Sequence, residues 1–419
     1  MAAVVLSGIA AATVLGSSQA RVTSAGSTAP AVRVSLAGSD ATCSRGLVAK
    51  ACRTLNAAYR VAHCGDIVGI APGNYPGDEF LQAAGKSSCK KPVVFQPMPG
   101  AKVAFGRIIA GRYGGGGGNA ASWWTLRNVT VKQRIEVWAP AQHVTLDRID
   151  GGDFYLNGVR HVVVERSDWG PCWSDANSSA AHPCNDPAKI ESGDAGVTTN
   201  HVLIKHNNFH DWTFTQQHLT CLAPWGGNNI TIEGNRIWNC DVFGIEVSSV
   251  GSGNCATDPS WDHLVIQNNW FGRINQETPI NNNAIVFTHG GVWTNTLIRY
   301  NSFAGISGIT TTSSPPCEVA GVRAVGNLGR YARCVPGMTY LYNVWAGGRC
   351  GARDVNVASL PYVNPSDQAA GNYHLSRSRA ADNRVPCKSG PGALRFDRDG
   401  HRRPAIRGRR CDAGSEERR

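Results

Sequence analysis

Beyond Leu15 the sequence lacks any run of about 20 apolar residues, which excludes a membrane-spanning helix from the body of the chain. It has no paired C-x-x-C motifs, so its 14 cysteines do not read as a zinc framework. Nucleic-acid-binding motifs are missing, as are basic stretches interleaved with aromatics, so nucleic acid is not an expected partner despite a net charge of +11. The glycine run Gly114 to Gly118 is followed by neither Lys-Ser/Thr nor a helical pattern, and reads as a loop, not a phosphate cradle.

What the chain does have is a repeated phrase: alternating apolar residues, then Asn, then a bulky apolar residue. It runs through His201–Phe209, Asn229–Ile237, His263–Phe271 and Asn295–Phe303, with weaker copies at His143–Leu146, His161–Val164, Val325–Leu328 and Leu341–Val344. Each copy is one strand and one sharp corner, and only stacking many of them buries a continuous apolar core. The corner residues Asn207, Asn235, Asn269, Asn301 and Asn327 are 28, 34, 32 and 26 residues apart, one turn of a three-strand coil plus loops. The fold class is all-β: a parallel β-helix. Asn suits the corner because it tolerates left-handed backbone and can bond its stacked counterparts at the ~4.8 Å strand spacing.

The remaining segments divide the chain. Ala2 to Leu15 is apolar and is followed by Ser18-Gln19-Ala20, as in a signal peptide (1–20), although no Lys or Arg precedes it. A linker follows (21–31), then the solenoid (32–350) and a C-terminal segment with a basic tail (351–419). Leu55, Ala58, Tyr59 and Ala62 share a helical face, and a helix there would plug the solenoid's open end. Scattered, even-numbered cysteines predict disulfides and therefore export, with Cys43–Cys52, Cys64–Cys89, Cys172–Cys184 and Cys387–Cys411 as close pairs and six cysteines unassigned. Lys plus Arg exceed Asp plus Glu by 41 to 30, which favours an anionic partner.

The phrase Arg53-Thr54-Leu55, Gly65-Asp66-Ile67-Val68 and Ala71-Pro72-Gly73-Asn74-Tyr75 resembles the capping helix, first rung and turn of the secreted bacterial pectate-lyase-like superfamily. The resemblance covers roughly Val32 to Asn343 and implies a right-handed parallel β-helix with an N-terminal capping helix. The close of the chain, from Tyr373-His374-Leu375 through Asp397-Arg398-Asp399-Gly400 to Cys411-Asp412-Ala413-Gly414, is similar to the choice-of-anchor-Q segment, except that a basic pair replaces its terminal aromatic. Two phrases echo pectate-lyase elements without carrying them. Trp261-Asp262-His263 sits where His143, His161 and His201 open their strands, and Arg402–Arg407 lies in the Arg-rich tail. The paired acids of polygalacturonases are absent. The fold hosts lyases, hydrolases, epimerases and adhesins, so activity must come from a site.

Candidate site residues follow from strand parity. Ile245 and Val247 face inward, so Glu246 faces out, flanked by Thr220 or His218 below and Thr288 or His289 above. Asp211, Asn239, Arg273 and Gly305 fall four residues after successive corners and would share an edge. His206 and His210 have metal-like spacing, but on a strand and corner they would not share a face, so no metal site is assigned. For β-elimination on a uronic acid chain, Arg273 or Arg299 would offset the substrate carboxylate, His210 or His218 would take the proton, and Asp211 or Asp241 would hold Ca²⁺. For hydrolysis the acids are Asp211, Asp241 and Glu246. The alternative is a non-catalytic surface or matrix adhesin that stacks sugars on Trp212, Trp225, Trp238, Trp270 and Trp293. A monomer binding extracellular polysaccharide is expected, in a groove between the insertions Gly170 to Gly196 and Gly251 to Trp261.

Overall fold

The computed structural model describes residues 29–360 except 47–49, 112–118, 175–187, 193–195, 215–219, 241, 249–259, 275–282, 289–291, 312–318, 320 and 331–333, together with short strands at 362–364, 372–375, 385–386 and 410–411. His218, Asp241 and His289, most of both insertions, Cys184, Cys387 and the N-terminal apolar segment lie outside the described residues.

The chain winds into a right-handed parallel β-helix with three faces. On the first face, Val144, Val162, Val202, Ile230 and Leu264 stand in register, and one inward position further on so do Leu146, Val164, Ile204, Ile232, Ile266 and Ile298. All are at most 1% exposed. The second face carries Trp169, Phe209, Ile237, Phe271 and Phe303 into the same core. The third is built from the ends of the long strands Trp124–Trp138 and Gln142–Asn157 and then Ala188–Glu191, Leu222–Pro224, Phe243–Val247 and Asn283–Phe287. After Val355–Val357 the described pairings turn antiparallel, Tyr362–Asn364 with Asn372–Leu375 and Val385–Pro386 with Arg410–Cys411.

The corner between the first and second faces divides its labour between two residues. Positive φ is taken by the residue before the ladder Asn: His206, Gly234, Asn268, Tyr300, Gly326 and Tyr342. Sequence reasoning gave that role to the Asn itself. At Gly234 a Cβ would stand 2.5 Å from the His206 ring, so a side chain there would require that ring to move. The asparagines are left free to stack. Asn207 donates from Nδ2 to Asn235 Oδ1 at 3.0 Å, and the bond repeats through Asn269, Asn301, Asn327 and Asn343. Each Nδ2 also donates to a first-face carbonyl, as Asn269 does to Ile232 O at 2.9 Å. The row ends on the buried Asp354, whose Oδ1 accepts Asn343 Nδ2 at 3.0 Å. Among the ladder's members every buried polar atom thus finds a partner.

Positive φ also marks the residues that open first-face strands: Trp123, His143, His161, His201, Asn229, His263 and Asn295. The rings of Trp123, His143, His161 and His201 stack at centroid distances of 3.9, 4.7 and 4.9 Å. The position therefore belongs to the repeat, His263 included.

The N-terminal end is closed by α1 (Leu55–Val61), which buries Leu55, Ala58 and Tyr59. Its N-cap Thr54 accepts from Ala57 N and is itself held by Asp40, while Glu79 accepts Leu55 N. Disulfides join Cys43–Cys52 and Cys64–Cys89, the two predicted pairs that the described residues contain, and also Cys221–Cys240 and Cys334–Cys350.

Candidate functional site

The third face presents an outward column across adjacent rungs. Register places Glu136 beside Tyr155, Tyr155 beside Lys189, and Lys189 beside Ala223; the pairing of Leu222 with Ile245 then sets Ala223 next to Glu246. At ~4.8 Å per rung, Glu136 to Glu246 spans ~19 Å. Glu246 is half-buried and held at both oxygens, with Thr220 Oγ1 donating to Oε2 at 3.2 Å and Thr288 Oγ1 to Oε1 at 2.9 Å. Glu246 thus faces as strand parity set it, and of the flanking residues expected, Thr220 and Thr288 are the ones seen to hold it.

Around that column lie groups that sequence reasoning missed. The Tyr155 hydroxyl donates to Glu191 Oε2, and Asn157 Nδ2 donates to Tyr155 Oη at 2.7 Å. Glu136 is buried, paired with Arg107 and accepting Trp138 Nε1 at 2.9 Å. The Lys189 ammonium stands 4.0 Å from the Trp225 ring centroid and 5.7 Å from that of Tyr155. Tyr155, Lys189 and Glu191 belong to no repeat phrase, and only the register of the folded chain brings them together.

His210 and Asp211 are elsewhere, on the second-face strand Asn208–Phe214. His210 Nδ1 is 2.8 Å from Asp211 Oδ2 and Nε2 is 3.2 Å from Asp168 Oδ1, and the ring stacks on Trp238 at 4.6 Å. Burial pulls the imidazole's pKa down, but the hydrogen bonds to Asp168 and Asp211 outweigh it and the net shift is upward. The bond from His210 holds the Asp168 carboxyl below its usual range. A carboxylate on each nitrogen favours the doubly protonated ring, which suits a positioned cation better than a base. Asn239 stands between Asp211 and Arg273: its Nδ2 donates to Asp211 Oδ1 at 2.5 Å and its N–H to Arg273 O at 2.7 Å. Three members of the expected edge, Asp211, Asn239 and Arg273, thus follow one another on neighbouring rungs.

Two other candidates face away from solvent. Trp212 is fully buried in the core. Arg299 is 6% exposed on the first face, donating to Gln267 Oε1 at 2.8 Å, and burial lowers its pKa. Trp270 and Trp293 are also buried, whereas Trp225 and Trp238 are half-buried. Among the described residues no cluster of three or more His, Cys, Asp or Glu is arranged to hold a metal ion. No described helix is long and apolar enough to cross a membrane.

The family model described as "right handed beta helix region" matches residues 119–324. No curated protein matches the sequence. Among solved structures, the chain is similar to pectate lyase Pel9A at 12% identity, covering 93% of this chain and 98% of that one with a TM-score of 0.54. It is also similar to PfbA, a surface adhesin of Streptococcus pneumoniae (12% identity, 69% and 78% coverage, TM-score 0.45), and to XylC in complex with xylose (10%, 87% and 80%, 0.46). The fold seen in the coordinates, in the family match and in the similarity to Pel9A is one and the same: this is a right-handed parallel β-helix protein.

Proposed function

We propose that the protein is exported and binds an extracellular acidic polysaccharide lengthwise along its third face. The observation that carries this is the column from Glu136 through Tyr155 and Lys189 to Glu246, flanked by Trp225. Glu136 is buried at one end and Ala223 stands between Lys189 and Glu246; the remaining members offer a ring face, a cation and a fixed acceptor, the combination that sugar hydroxyls and carboxylates require. Its accessible part, from Tyr155 to Glu246, spans three rung spacings, ~14 Å. Disulfides support an oxidising compartment, and the net charge of +11 supports an anionic partner.

For turnover by β-elimination, a base takes the proton beside the uronate carboxyl and the glycosidic C–O bond breaks to leave an unsaturated end. Lys189 and Tyr155, adjacent on the column, are the groups within reach of such a chain. A purely binding role is favoured by one further observation: Glu136, Glu191 and Glu246 each already accept bonds from the protein. The test is calorimetric binding of uronate and neutral glycans, with unsaturated product and new reducing ends followed in parallel. Lys189→Ala and Trp225→Ala should each weaken uronate binding about tenfold. Unchanged affinity in both variants would refute the third-face site, and tight binding without product would establish the adhesin role.

A further inference from the structure

Where the third face turns back toward the first, near the capping helix, lies a cavity of about 520 Å³. Its wall includes Tyr59, Lys86, Ser87, Ser122, Gln142 and Arg160, and among the described residues no carboxylate lines it. Pro140 and Gly158, which follow the third-face strands ending in Trp138 and Asn157, form part of the same wall, so the cavity borders the proposed glycan track.

Lys86 is 8% exposed. Its ammonium lies 4.7 Å from the Tyr59 ring centroid and donates to Arg60 O at 3.4 Å, but no carboxylate pairs with it among the described residues. Asp66, whose charge acts on it, is held by Arg45 at 2.7 and 3.0 Å. Burial lowers the pKa of Lys86. A cation so enclosed carries a desolvation cost that a counter-ion would relieve. The segment is fixed in place: the disulfide Cys64–Cys89 anchors it, and Trp123 Nε1 donates to Ser87 O at 3.1 Å. Ser122 Oγ accepts Gln142 N–H at 3.1 Å, which leaves its own proton for an acceptor in the cavity. Arg160 is exposed at the rim and has no carboxylate partner among the described residues.

We propose that this cavity is an oxyanion subsite, taking a carboxylate or sulfate group through the Lys86 ammonium, the Arg160 guanidinium and the Ser122 hydroxyl. It rests on the third-face reading only for the source of that group, an acidic sugar unit of the bound chain. Three titrations of the full chain separate the two ideas: inorganic sulfate, a galacturonate oligomer, and the same oligomer with its carboxyls reduced to alcohols. Sulfate should bind wild type, and Lys86→Met and Arg160→Gln should each weaken it about tenfold, the loss of one charge-assisted contact. Arg160→Gln, at an exposed site, should leave the melting temperature unchanged, so its result stands even if Lys86→Met folds poorly. The galacturonate oligomer should show the same dependence, and the reduced oligomer should be indifferent to both substitutions. Sulfate binding that needs Lys86 and Arg160 without oligomer binding would uphold the subsite for a free anion and sink the glycan track. No sulfate binding to wild type, or equal binding in both variants, would overturn the proposal.

Discussion

The asparagine ladder calls for different chemistry in its middle and at its end, and exchanging the two should destabilise both. Asn269 accepts Asn235 N and Nδ2 at Oδ1 (2.9 and 3.0 Å), while its Nδ2 donates to Ile232 O and Asn301 Oδ1 (2.9 and 3.1 Å). Asn269→Asp turns that donor into an oxygen facing two acceptors. At about 1–3 kcal/mol for each buried partner left unmatched, the loss is roughly 2–6 kcal/mol, before the cost of a buried charge. It should shrink in acid, where a protonated carboxyl recovers one donor. Asp354 is the mirror case. Its carboxylate only accepts, from Asn343 N and Nδ2 on one oxygen and from Trp345 Nε1, Cys350 N and Gly351 N on the other. Asp354→Asn would aim an NH₂ at donors, with a comparable loss of about 2–6 kcal/mol. Urea unfolding followed by far-ultraviolet circular dichroism measures both. If either variant lies within about 0.5 kcal/mol of wild type, as an ordinary surface substitution would, this account of the ladder is wrong.

Ile232, packed in register between Ile204 and Ile266, should cost about 2–5 kcal/mol when changed to Ala, read by the same unfolding experiment. Two histidine sites should respond oppositely to pH. The folded His210 pKa is raised above the usual value of about 6.5, so its contribution is present below that value and is lost as pH rises through the folded pKa. His143 and His161 are lowered, chiefly by burial and then by their stacked neighbours, so their contribution is present above about 6.5 and is lost as pH falls through their folded pKa values. Imidazole titration by NMR should place His210 above, and the stacked pair below, the unfolded midpoint; the reverse order would contradict these environments.

The first face was legible in the sequence because its strands keep strict two-residue alternation and end at a repeated corner, so Val202, Ile204, Ile230, Ile232, Leu264, Ile266 and Ile298 could be assigned inward positions. Parity likewise turned Glu246 outward between Thr220 and Thr288. Parity failed where facing is set by bending: the chain turns at Asp211 and Asn239 with φ of 55° and 50°, and Trp212 just beyond the first turn goes into the core. Asp168 was invisible as a partner of His210 because it lies 42 residues earlier, one rung away across an insertion of irregular length. Tyr155, Lys189 and Glu191 come from strands without a corner phrase, and nothing in the local pattern announces their alignment.

The ladder's amides all point the same way. From Asn207 to Asn343 each Nδ2–H is directed toward the C-terminal end, so their dipoles add along the solenoid axis as peptide dipoles do along a helix. The positive pole of this row meets the carboxylate of Asp354, and the negative pole meets the Ser167 N–H at 3.0 Å. Bonds in such a chain polarise one another. The β-helix thus encloses a thread of aligned dipoles with an anion at its positive end, and each asparagine's strength as a donor depends on the rungs on either side of it.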